Sequence, residues 1–178
     1  MSAAPTIRIL GIDPGSRLTG YGVIDSDGRE SRFVTCGAIR VVGETLPQKL
    51  GLIFERVSQV ISEHQPQKMA IENVFMARSA DSALKLGQAR GAAICAGMSR
   101  QLPVAEYTAK QVKLAVVGNG GADKVQVQHM VNMLLNRNEK LQADAADALA
   151  VALCHAHSQL LGEMMPVATR QRRARRWK

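Results

Sequence analysis

Four carboxylates stand at the ends of regular segments: Asp13 in ILGIDPGS, Glu72 in MAIENVF, and Asp144 with Asp147 in DAADALAV. Asp13 closes an apolar run of Ile7, Ile9, Leu10 and Ile12 and is followed by Pro14-Gly15, which places it where a buried strand opens into a turn. Glu72 follows Met69, Ala70 and Ile71 in the same way. Asp144 and Asp147 are three apart at the start of an Ala-rich stretch, which sets both on one helical face. Gathered at one point, four like charges repel, and protonation or a divalent cation relieves them. With only oxygen ligands, Mg²⁺ or Mn²⁺ is the chemical match. Plainer roles exist for single members: Asp13 as a turn-former, Asp144 as an N-cap or first-turn acid. Glu72 at the end of a buried strand and Asp147 inside a helix fit such roles less well. The combination points to a metal-dependent nuclease.

Two metal ions about 4 Å apart would hold a scissile phosphate between them, one activating water and the other stabilising the leaving 3′ oxygen. Such in-line hydrolysis leaves a 5′ phosphate. Lys113 and Lys124 flank the Gly-rich loop GNGGAD (118–123), where either could reach the phosphate or simply be a solvated surface lysine. Phe75, three residues after Glu72 in a chain with 3% aromatic residues, is core or, if exposed, a stacking platform for an unpaired base. Ala83, Gly87, Gly91 and Cys95 recur every four residues and allow close approach, either to the chain's own sheet or to a twin helix. His64, His129, His155 and His157 show no ligand pattern and read as surface or interface residues.

These side chains need a scaffold, and a chain of 178 residues with 46% apolar content suffices for one sizeable core. One domain over 1–165 is expected, with a disordered basic tail over 166–178. The net charge is +8, but that tail holds six cations and no acid, which leaves the body at +2. Once metal neutralises the four carboxylates, the body stands at +6, a surface suited to a polyanion. Cys36, Cys95 and Cys154 lack the spacing of a zinc site or a disulfide framework and read as buried free thiols in a reducing cytoplasm. No run reaches the roughly 18 apolar residues of a membrane span, so a soluble cytoplasmic protein is expected.

Residues 7–13, 20–25 and 32–42 read as three strands of an antiparallel meander. Apolar positions 46, 50, 53, 54, 57 and 61 mark an amphipathic helix that stops at Pro66. Short strands at 68–72 and 103–107 alternate with helices at 79–101 and 108–117, and helices at 124–136 and 143–161 follow. The order βββαβαβα implies an α/β fold with a sheet of mixed direction.

With these residues in view, ILGIDPGSRLTGYGVI, AIENVFMARSADSALKLGQARGAA, the segment from AKQVK to GADKVQVQHMV, and QADAADALAVALCHAH resemble the RuvC family of Holliday junction resolvases, from about residue 7 to 160. The resemblance implies a ribonuclease H-like fold, a homodimer, and Mg²⁺-dependent nicking of two opposed strands of a four-way DNA junction. It puts the family's acidic ligands on Asp13, Glu72, Asp144 and Asp147, its functional lysines on Lys113 and Lys124, and its base-contacting aromatic on Phe75. Arg78, Lys85 and Arg90 are expected as further DNA contacts. It also implies partnership with the RuvA and RuvB branch-migration proteins and cutting at T-rich sites. A two-fold dimer matches the symmetry of the junction and favours the twin-helix reading of the small-residue stripe. Residues 1–6 and the tail fall outside the resemblance; the tail is expected to add salt-sensitive phosphate contacts. Other readings are weaker. GIDPGSRLTGYG looks like the phosphate loop of actin- and Hsp70-type ATPases, but those need two lobes and this chain has room for one. A nuclease of RNA–DNA hybrids would keep the carboxylates without needing a dimer, and for a non-catalytic junction binder the four acids would be a liability against phosphate.

Overall fold

The computed structural model of the chain describes residues 5–73, 79–138 and 141–164, with side chains as far as Gln159. Phe75, Arg78 and the basic segment 166–178 lie outside the described residues. Five strands, β1 (Ile7–Asp13), β2 (Leu18–Ser26), β3 (Ser31–Arg40), β4 (Lys68–Asn73) and β5 (Val104–Thr108), form one sheet in the order β3-β2-β1-β4-β5. The first three run antiparallel, whereas β4 is parallel to β1 and β5 parallel to β4. This is the mixed sheet expected from the element order. The helices are α1 (Leu46–His64), α2 (Ala80–Ser99), α3 (Ala109–Val117), α4 (Lys124–Leu134) and α5 (Ala143–Met164). Among the described residues, none of them is long and apolar enough to cross a membrane.

Two-residue alternation along the strands builds a core on each side of the sheet. Leu10, Ile12, Val23, Met69 and Ile71 face α1 and α2, where they meet Ile53, Val57, Ala89 and Ala93. Ile9, Ile24 and Ala70 face α5, which α3 and α4 cover from outside. Helix α5 is therefore apolar nearly all round, as a helix enclosed on every side must be.

Burial of α5 overturns one expectation. His155 is no surface residue: it is 6% exposed, its Nδ1 lies 2.8 Å from the Tyr107 hydroxyl, and burial pushes its pKa down to about 4, so the ring is neutral. His129 is exposed, and His64 and His157 are half-buried. The thiols also divide: Cys154 is buried, Cys36 half-buried and Cys95 exposed, so buried thiols were expected in two places where they do not occur. Cys95 belongs to the small-residue stripe of α2, whose exposure explains the difference. A methyl added at Gly87 or Gly91 would project into open space, so the stripe does not pack on the chain's own sheet.

Candidate active site

Strand parity aims the first two carboxylates. Asp13 follows Ile9 and Gly11 on the α5 side of β1, and Glu72 follows Ala70 on the α5 side of β4. Ile12 pairs with Ile71, so Asp13 and Glu72 stand one step further along on neighbouring parallel strands. The other two arrive on α5, which can come this close because the strands beneath it carry glycine. A Cβ at Gly11 would lie 2.1 Å from the Ala148 carbonyl oxygen, and one at Gly20 would lie 2.0 Å from that of Asp144. Gly20 is also the cross-strand partner of Asp13. Backbone therefore rests on backbone, and the first two turns of α5 set Asp144 and Asp147 over the end of β1. The turn after Asp13 is held by buried Thr19, whose hydroxyl donates to the Gly15 carbonyl at 3.0 Å.

The two lysines come from capped helices. Thr108 with Gln111 and Asp123 with Gln126 form capping boxes that start α3 and α4 at defined residues. Glu72, Lys113, Lys124 and Asp147 then line one cavity of about 220 Å³, floored by Val112, Val127 and Ala150. Lys124 is the first residue of α4, where the helix dipole disfavours a cation. Its compensation is Asp147, 2.7 Å from its ammonium group.

Crowding shows in the ionisation. Burial, then Glu72, Asp147 and Asp144, push the Asp13 pKa up to about 8 against the opposing pull of Lys124. The Glu72 carboxyl is also raised, by burial first and then by Asp147, with Lys113 and Lys124 opposing. Lys124 is raised in turn, chiefly by its hydrogen bond to Asp147. An all-oxygen donor set carrying more negative charge than two lysines can balance fits a hard divalent cation. Among the described residues, no three His, Cys, Asp or Glu side chains stand together as a finished coordination shell. Lys124 takes up one carboxylate oxygen of the set instead.

The structure thus brings Asp13, Glu72, Asp144, Asp147, Lys113 and Lys124 to one end of the sheet. Lys85 and Arg90 lie on α2, across the sheet from α5, where Lys85 pairs with Asp81 and Arg90 with Glu106. Sequence reasoning passed over Gly11, Gly20 and Thr19, which carry no reactive group yet set where the acids stand. The available signal was glycine inside a strand, which marks a close backbone approach.

The family model for the crossover junction endodeoxyribonuclease RuvC matches residues 9–155. The RuvC of Idiomarina loihiensis is 61% identical over 155 residues, covering 84% of this chain and 87% of that protein. The RuvC of Methylococcus capsulatus is 56% identical over 164 residues, covering 92% and 99%. The Thermus thermophilus RuvC in complex with a Holliday junction substrate superposes with a TM-score of 0.83 at 34% identity, over 88% of this chain and 96% of that one. The yeast mitochondrial Holliday junction resolvase Ydc2, with a TM-score of 0.64 at 12% identity, over 89% and 83%, shares the fold. A rim of four carboxylates and two lysines, and a family match from residue 9 to residue 155, lead to one conclusion: the chain belongs to the RuvC family of crossover junction endodeoxyribonucleases.

Proposed function

We propose that this chain resolves four-way DNA junctions in recombination and repair as a homodimer, nicking two opposed strands symmetrically by metal-dependent hydrolysis. The observation that carries the reading is the convergence of four carboxylates from β1, β4 and α5 on one rim, with Asp13 driven to a pKa of about 8 by burial and by the other three. Asp13, Glu72, Asp144 and Asp147 would hold two Mg²⁺ ions, with Mn²⁺ as a substitute. When bound, the ions supply an activated water and neutralise charge on the leaving 3′ oxygen, so the products are 5′-phosphate and 3′-hydroxyl ends. Lys113 and Lys124 line the same cavity as Glu72 and Asp147, which supports their ammonium groups as donors to the scissile phosphate. For Lys124 this requires release from Asp147. Phe75 would stack an unpaired base, with Arg78, Lys85 and Arg90 as backbone contacts. The outward stripe of Ala83, Gly87, Gly91 and Cys95 supports pairing through α2, which places two sites about a two-fold axis. Action in the cytoplasm with RuvA and RuvB completes the reading.

The test is cleavage of a labelled four-way junction beside linear duplex and RNA–DNA hybrid of matched sequence, in Mg²⁺ or EDTA. Paired symmetric nicks confined to the junction, and only in Mg²⁺, are expected. Preferential cutting of the hybrid would replace the reading with an RNA-directed nuclease, and cleavage in EDTA would remove the metal.

A further inference from the structure

The rim that carries the acids has a second cavity on the opposite side of the sheet. About 500 Å³ in volume, it opens between the turn after β1, the start of α1 and the first half of α2. Its apolar lining runs from buried Val41, Ile53 and Ala89 to Leu50 and the exposed Leu46 and Leu84, and its cations are Arg17, Lys49 and Lys85. One acid, Asp81, also lines it and is matched by Lys85 at 2.6 Å. Among the described residues Arg17 and Lys49 take part in no ion pair, so the cleft keeps two uncompensated cations over a greasy base.

We propose that this cleft is a second DNA subsite, which takes one nucleotide of the strand adjoining the cut, its phosphate on Arg17 and Lys49 and its base and sugar against the apolar lining around Leu46, Leu50 and Leu84. The proposal rests on the junction-resolving reading above and extends it. The volume lies within the usual range for small-ligand sites, and a positively charged groove that tracks the phosphates is how single-stranded nucleic acid is held without regard to sequence, with leucines here in the place of stacking rings. The connection to the catalytic acids is short and stiff. Asp13 leaves the sheet on the α5 side and Arg17 lines the cleft on the other, only four residues later. The turn between them is tied at both ends: Thr19 grips Gly15, and the Val41 amide donates to the Arg17 carbonyl at 2.9 Å. A strand whose phosphate lies on the acids therefore meets the cleft by crossing this turn. An apolar peptide seated there would cover the leucines but leave Arg17 and Lys49 without counter-charge.

The experiment uses the full-length protein on four-way junctions carrying 2-aminopurine at successive positions on either side of the cut, in EDTA so that binding is read without cleavage. The variant is Arg17→Gln with Lys49→Gln. The control, Arg29→Gln with Arg32→Gln, removes the same charge from exposed positions at the opposite end of the sheet. Wild-type protein should alter the fluorescence at one position beside the cut, and the cleft variant should lose that signal. It should also bind roughly tenfold more weakly, with a salt slope shallower by about two, while the control keeps the signal. Equal losses in both variants would show a general charge effect and overturn the subsite, as would no loss in either. A cleft variant that changes oligomeric state in sedimentation would make the cleft an interface between copies and overturn it too. If the wild-type protein fails to cut junctions in Mg²⁺, the functional reading falls; if it cuts while the cleft variant keeps the fluorescence signal, only the subsite falls.

Discussion

The two sides of this sheet are built from the same strands by opposite means. Toward α1 and α2 the strands present Leu10, Ile12, Val23 and Ile71, and the gap is filled by interlocking branched side chains. Toward α5, β1 and β2 present Gly11, Gly20 and Gly22, and an alanine-rich helix lies almost on the backbone. The first arrangement joins strand to helix through bulky side chains and is the more ordinary core. The second gives up side-chain volume for proximity, and proximity is what lets carboxylates from a strand end and a helix start share one site. Side-chain packing and close backbone approach are thus divided between the faces.

The division can be broken in stages. Removing one charged ligand should have the largest effect: Asp13→Asn or Glu72→Gln should lower junction cleavage by roughly 10³-fold or more while binding persists, read by single-turnover cleavage beside gel shift in EDTA. Full activity in either would refute the site. Next is Gly20→Ala, whose methyl meets the Asp144 carbonyl; it should displace the start of α5 and cut cleavage by about 10²-fold. Ile53→Val on the other face should cost about 1 kcal/mol in denaturant unfolding and leave cleavage unchanged. Equal effects of the two on catalysis would erase the contrast.

A fourth effect is thermodynamic and concerns the metal-free protein. The folded pKa of Asp13, about 8, lies above its unfolded value of 3.8, so its contribution to stability is intact below about pH 4 and is lost as pH rises toward 8. Asp13→Asn should therefore unfold at a higher temperature than the parent in EDTA at pH 7.5, by an amount worth roughly 1–4 kcal/mol, with the advantage vanishing near pH 4. A pH-independent difference would show that crowding of the acids is not its source. An effect as small as that of Ile53→Val is expected for Tyr107→Phe, which strips His155 of its hydroxyl partner at a cost of about 1 kcal/mol, with binding unaltered.

Much of this was legible beforehand, because the signals were periodic. Alternation around Ile9–Asp13 and Met69–Glu72 located strand ends, and i, i+3 spacing located Asp144 and Asp147 on one face of α5. Boundaries drifted where no residue forbade continuation: β2 begins at Leu18, two residues before the expected start, and α4 ends at Leu134, ahead of Asn136 in its positive-φ backbone. The burial of His155 was not legible, since it depends on α3, α4 and the sheet closing round α5 from different parts of the chain. Nor was the pairing of Lys124 with Asp147, which joins residues 23 positions apart and is fixed by where the cap of α4 happens to point. The outward direction of the α2 stripe likewise required knowing which face α1 had already taken.

The glycine contact has a meaning for inheritance as well as for geometry. At Gly11, Gly20 and Gly22 even the smallest side chain would meet α5 at 2.7 Å or less, although none of the three has a side chain of its own to offer DNA or an ion. The set of positions at which this chain cannot tolerate change is therefore wider than the set that performs chemistry. A damaging variant at one of them would present as a lost nuclease activity, while every catalytic side chain in the gene product was still the right one.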